Sequence, residues 1–114
     1  NTPLQALALM NEVTYVEAAR KFAERMLTSR AAPEDQIAWG FRRATLRDPS
    51  ATELSILTQG YRRRIQQFRT RPEHADAILN HGESELLDGL DKIELAALTT
   101  VASVILNLDE LINK

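Results

Sequence analysis

Cysteine is missing from all 114 residues, which excludes disulfides, thiolate metal ligands and covalent haem attachment within this chain. That absence leaves the compartment open, because exported proteins also lack cysteine. Histidine is nearly as scarce. His74 and His81 are the only two, and a regular helix would set them about 10 Å apart along its axis. One metal ion, with bonds of about 2 Å, cannot take both from such a helix. Aromatic residues make up 5% of the chain, so Leu, Ile, Val and Ala must build the core, a composition that suits close helix packing better than strands. Long apolar runs are also wanting: the tract 95–106 is interrupted by Thr99, Thr100 and Ser103 and falls short of the ~20 residues that a membrane-spanning helix needs. No basic-then-apolar leader opens the sequence, so no signal peptide is expected in this stretch. A glycine-rich phosphate loop and a nucleophile-elbow serine are lacking as well.

What is present points to a folded, all-α chain. An apolar share of 44% with 26% charged residues is that of an ordinary globular protein. The spacing of apolar residues predicts a single helical domain over 1–114, a compact bundle of five to six helices. Thr2 and Pro3 make a helix start, followed by Leu4, Leu7 and Ala8, with Asn11 as a stop. A second helix is expected over 13–29, with Val16, Ala19, Phe22, Ala23, Met26 and Leu27 facing inward and Glu17, Arg20, Lys21 and Glu24 on the polar side.

Pro33, Glu34 and Asp35 suit the start of a third helix running to about Arg47. Ile37, Phe41 and Ala44 form its stripe, with Trp39 and Leu46 displaced so as to meet a second neighbour. Ser50 and Glu53 match a reciprocal capping box, and Leu54, Leu57, Tyr61, Ile65 and Phe68 follow at helical spacing. Thr70 and Glu73 repeat the box pattern ahead of a short fifth helix, with Gly82 as its stop. The last helix is expected from Asp91, with Glu94 as its box partner, to about Asn113. Being apolar on nearly every side over 95–106, it is expected to be the central helix of the bundle. Gly40 and Gly60 are placed where helices approach closely.

Charge is distributed unevenly. Residues 42–71 hold eight arginines against Asp48 and Glu53, a net +6, whereas 73–114 carry a net −7. One expectation is that basic and acidic helices lie side by side and partly neutralise each other. The sharper one gathers Arg62, Arg63, Arg64 and Arg69 into a patch for an anionic ligand. Three consecutive arginines fan across about 200° of a helix, and neither stacking aromatics nor a helix-turn-helix pattern accompanies them, which argues against nucleic acid. Glu83, Glu85 and Asp88 lack the glycine and spacing of a calcium loop. Asn107, directly after the densest apolar run, is a costly amide to bury unless bonded. It is expected either to bond backbone at a neighbouring helix end or to belong to a site completed by another part of a larger protein.

Three stretches, "NTPLQALALMNEVTYVEAARKFAERML", "AWGFRRATLRDPSATEL" and "LTTVASVILNLDELINK", together resemble the C-terminal part of the planctomycete family PSD1, domain of unknown function 1553. The family's Asn-Thr-Pro-Leu-Gln-Ala-Leu start, Arg-x-Pro-(Ser/Thr)-x-x-Glu turn and terminal Leu-Asn-Leu-Asp-Glu fall on residues 1–7, 47–53 and 106–110. Val13 departs from the pattern, where members often have proline. The resemblance implies the end of a large exported protein of the periplasm or cell envelope, in which this region follows another uncharacterised domain. It implies no cofactor in this chain and, in many members, a haem c segment elsewhere in the parent. Its partners would be other domains of the same polypeptide, or a second copy when the fragment is isolated. No catalytic residues carry over. The function expected is thus a non-enzymatic scaffold or docking module; the alternative is one wall of an active or redox site completed by other domains, cytochrome c-associated and related to polysaccharide.

Overall fold

The computed structural model describes the backbone of residues 13–80 and 89–112, and side chains within 17–80 and 89–108. Five helices occupy these residues: α1 (Val13–Ser29), α2 (Pro33–Thr45), α3 (Ala51–Thr70), α4 (Pro72–Leu79) and α5 (Lys92–Ile112). Among the described residues there is no strand, and the chain is an all-α globule. The expected first helix over 2–11, the stop at Gly82 and the acids Glu83, Glu85 and Asp88 lie outside the described residues.

α5 touches each of the other four helices. Every residue from 95 to 103 is buried, which is more than two full turns and therefore all sides of the helix. The two threonine hydroxyls inside that stretch are satisfied without leaving the helix: Thr99 Oγ1 donates to the Leu95 carbonyl at 2.7 Å and Thr100 Oγ1 to that of Ala97 at 2.7 Å. Asp91 starts α5 by accepting from the Glu94 amide at 3.0 Å, answering one of the orphaned first-turn donors.

α1 packs on both α2 and α5, and this widens its covered arc. Ala19, Ala23 and Met26 are buried as their spacing requires, but Arg20 and Glu24 are buried too, at 0% and 3% exposure, which corrects their placement on the polar side. Each follows a core alanine by one position, about 100° round the helix, so the covered arc of α1 extends beyond its apolar stripe. Arg20 Nη1 lies 3.8 Å from Glu24 Oε2, and Lys21 Nζ lies 3.6 Å from Glu24 Oε1.

The α1–α2 junction rests on two residues. Gln36, at 4% exposure, donates from Nε2 to the carbonyls of Leu27 at 3.2 Å and Arg30 at 2.8 Å, so it serves acceptors that the end of α1 leaves open. Gly40 admits the Met26 side chain so closely that a Cβ there would stand 2.8 Å from its Sδ and Cε. Gly60 does not play that part, because a Cβ there would meet only Arg63 Nη2 at 3.9 Å.

α2 ends earlier than Arg47. Leu46 takes the left-handed conformation, φ 63°, and its amide donates to the Arg42 carbonyl at 2.8 Å. Its side chain is 88% exposed, so it meets no second neighbour. At the next turn the Ser50–Glu53 box forms in full. The box expected at Thr70 does not: Thr70 is the last residue of α3, with its hydroxyl donating to the Gln66 carbonyl at 3.0 Å. Pro72 is the reason, since the ring restricts the residue before it. The break therefore falls on Arg71, φ −131° and ψ 79°, which joins α3 to α4.

Candidate functional site

The Arg-x-Pro-Ser-x-x-Glu turn forms a closed set of contacts. Ser50 Oγ accepts from the Glu53 amide at 3.1 Å while Glu53 Oε1 accepts from the Ser50 amide at 2.8 Å. Arg47 then grips the same carboxylate with both terminal nitrogens, at 2.9 and 2.8 Å, the paired geometry that only a guanidinium offers. The Arg47 contact, followed by the Ser50 amide, holds the Glu53 carboxyl down at about 2. Hydrogen bonding to Glu53 in turn raises the Arg47 pKa. The Arg47 guanidinium also lies 4.9 Å from the Phe41 ring centre, fastening the turn to α2.

The arginines of α3 do not converge on one site. Arg62 Nη2 reaches across to Glu34 Oε1 of α2 at 2.6 Å. Arg64 turns elsewhere, half-buried and donating to Gln67 Oε1 at 2.8 Å; burial, then the charge of Arg63, lowers its pKa. Arg63 and Arg69 are exposed and form no ion pair among the described residues. Gln59, Arg62, Arg63 and Gln66 frame an open depression of about 300 Å³ on the outer face of the helix. On the inner face, burial and then Glu94 and Asp91 push the Tyr61 hydroxyl up to about 12.

Four of the nine acids after residue 72 have described side chains, and none of these four neutralises the basic stretch by an ion pair. Arg42 pairs with Asp48 at 3.0 Å, Arg47 with Glu53 and Arg62 with Glu34; among the described residues no ion pair joins 42–71 to the acids after residue 72. Short turns bring Asp48 and Glu53 back to the arginines that precede them, so those two pairs are local, whereas Arg62–Glu34 joins α3 to α2.

Asn107 is half-buried between Leu106 and Leu108, which pack on the core. No hydrogen bond to its side chain occurs among the described residues, so the expected bond to a neighbouring backbone is not made there. His74 is exposed on α4. Among the described residues no three His, Cys, Asp or Glu side chains come together to hold a metal ion.

One surface cluster escaped the sequence reading. Trp39 lies 6.3 Å from Phe22, with the guanidinium groups of Arg25 at 5.7 Å and Arg43 at 5.1 Å from its ring. The signal was local: Arg43 stands four residues after Trp39 and Arg25 three after Phe22, each pair on one helix face.

A family model described as PSD1, protein of unknown function (DUF1553), matches residues 1–61, which reach through α1 and α2 to Tyr61 in α3. No curated protein and no solved structure matches the chain.

Proposed function

This chain belongs to the PSD1 family of proteins of unknown function, and we propose that within such a protein it is a non-enzymatic helical docking module, the C-terminal part of a larger exported polypeptide whose other domains seat against it. One contrast carries this reading. The polar residues of the 47–53 turn are engaged with each other and with helix ends, while the outer face of α3 presents Arg63 and Arg69, exposed and without an ion pair among the described residues, beside Arg62, which Glu34 holds. The groups of that turn thus satisfy one another, and the arginines on α3 are left to form a surface.

Arginine-selective labelling with phenylglyoxal, read by mass spectrometry, tests the reading. Arg62, Arg63 and Arg69 should be modified more slowly in the full-length parent than in the isolated 114-residue chain. Equal rates in the two would refute it. Asn107 favours a second reading: a half-buried amide with no hydrogen bond among the described residues suits one wall of an active or redox site completed by another domain. On that reading Asn107→Ala in the parent abolishes redox or polysaccharide-directed turnover without lowering the melting temperature.

A further inference from the structure

The depression on α3 is framed by residues at i, i+3, i+4 and i+7, namely Gln59, Arg62, Arg63 and Gln66. That is the set of four that forms a hole on one helix for a side-chain knob from another. The pattern continues in both directions. Thr52, Ile56, Gln59, Arg63, Gln66 and Thr70 follow one another at alternating steps of four and three, and all six are exposed. This is the 3.5-residue repeat along which two helices stay in register.

Arg62 and Arg69, seven residues apart, flank the row on one side. Glu53 is the only acid in the 20 residues of α3, and Arg47 already holds it. Ile56 adds a large apolar side chain at 61% exposure, one turn before the depression. Glu34 fixes the Arg62 guanidinium at 2.6 Å on the rim, and Arg64 is turned away onto Gln67, so the hole is walled by two guanidinium and two carboxamide groups.

We propose that the outer face of α3 is a knobs-into-holes seam for an acidic α-helix. A glutamate from that helix enters the hole to meet Arg62 and Arg63, and an apolar side chain one turn along covers Ile56. A carboxylate is the knob this hole fits, because guanidinium groups offer paired donors to planar oxyanions. The proposal rests on the docking reading above and specifies the partner's chemistry and fold.

Fluorescence anisotropy of labelled probes against the 114-residue chain tests it, with three probes in 50 mM salt at pH 7. The first is a 21-residue helical peptide with Glu at the knob positions and Leu opposite Ile56; the second is poly-L-glutamate, a coil at this pH; the third is a 20-base-pair DNA duplex. The helical peptide should bind saturably and at least tenfold tighter than the other two. Arg62→Glu with Arg63→Glu should weaken it at least tenfold and Ile56→Glu at least threefold, with circular dichroism unchanged. Arg30→Glu, an exposed charge reversal outside α3, should leave affinity within twofold. Absence of saturable binding to 1 mM, affinity for coil or duplex equal to that for the helix, or an equal loss from Arg30→Glu overturns the proposal. Failure here with protected arginines in the parent rejects the acidic helix alone, and leaves the docking reading standing.

Discussion

Replacing Gly40 with alanine should destabilise the chain, although helix propensity by itself predicts the reverse. The added Cβ would stand 2.8 Å from both Sδ and Cε of Met26 and 2.9 Å from its Cγ. Carbon atoms in good contact sit ~3.5 to 4.0 Å apart, so three atoms must each move by more than half an ångström. Met26 is fully enclosed, and the thioether has no open side to swing into. Overpacking of this kind costs about 1 to 3 kcal/mol, while exchanging glycine for alanine in a helix interior returns about 1 kcal/mol. The net effect is a loss of up to ~2 kcal/mol. Gly60→Ala is the matched control: a Cβ there meets only the end of a flexible arginine at 3.9 Å, so the propensity gain of about 0.5 to 1 kcal/mol survives. Urea denaturation at constant m-value reads both, and the two variants should differ by ~2 kcal/mol in opposite directions from wild type. Met26→Ala isolates the contact, since in that background Gly40→Ala should turn stabilising. An equal gain from the two glycine replacements in the wild-type chain would refute the account of the α1–α2 junction.

Other consequences follow from single contacts. The Glu53 carboxyl titrates at about 2, below its unfolded value, so its contribution to stability is present above pH 4.5 and lost as pH falls through about 2; Arg47→Lys should move the Glu53 midpoint upward in a carboxyl NMR titration. Tyr61 behaves oppositely, with its folded value raised from 10.0 to about 12: its stabilisation is complete below pH 10 and disappears as pH rises through 12, and Tyr61→Phe should remove that part of the alkaline loss seen by thermal melts. Leu46→Gly should stabilise by about 0.5 kcal/mol in urea denaturation, because relief of a left-handed leucine, ~1 to 2 kcal/mol, exceeds the entropy lost on adding glycine. Gln36→Leu, which strips a donor from the carbonyls of Leu27 and Arg30, should cost about 1 to 3 kcal/mol by the same measurement.

These sites also show which interactions a sequence declares. Ser50 and Glu53 were legible because both ends of the contact lie within one helical turn, and the same holds for Asp91 with the Glu94 amide. The apolar spacing of α1 and α3 was legible for a related reason: periodicity reports one face wherever a single neighbour covers it. It fails where two neighbours cover a helix. Arg20 and Glu24 sit at the edge of the apolar stripe, and tertiary packing, not their spacing, puts them inside. Gln36 was opaque because its amide reaches carbonyls six and nine residues back across a turn, a pairing no fixed offset encodes. Thr70 misled because two local rules competed: a box at Thr70 needs a helix to start there, and Pro72 moves the break to Arg71.

For the arginines, the offsets in sequence already contained the row on α3, since every fourth and third residue from Thr52 is polar or small apart from Ile56. Arg62, Arg63 and Arg64 are adjacent in sequence, but each step turns 100° round the helix, so the three span about 200° and do not all share one face. Arg64 goes to Gln67, Arg62 to Glu34, and only Arg62 and Arg63 border one hole. Charge on a helix therefore acts by face and not by segment: of the eight arginines in 42–71, two border the depression on α3.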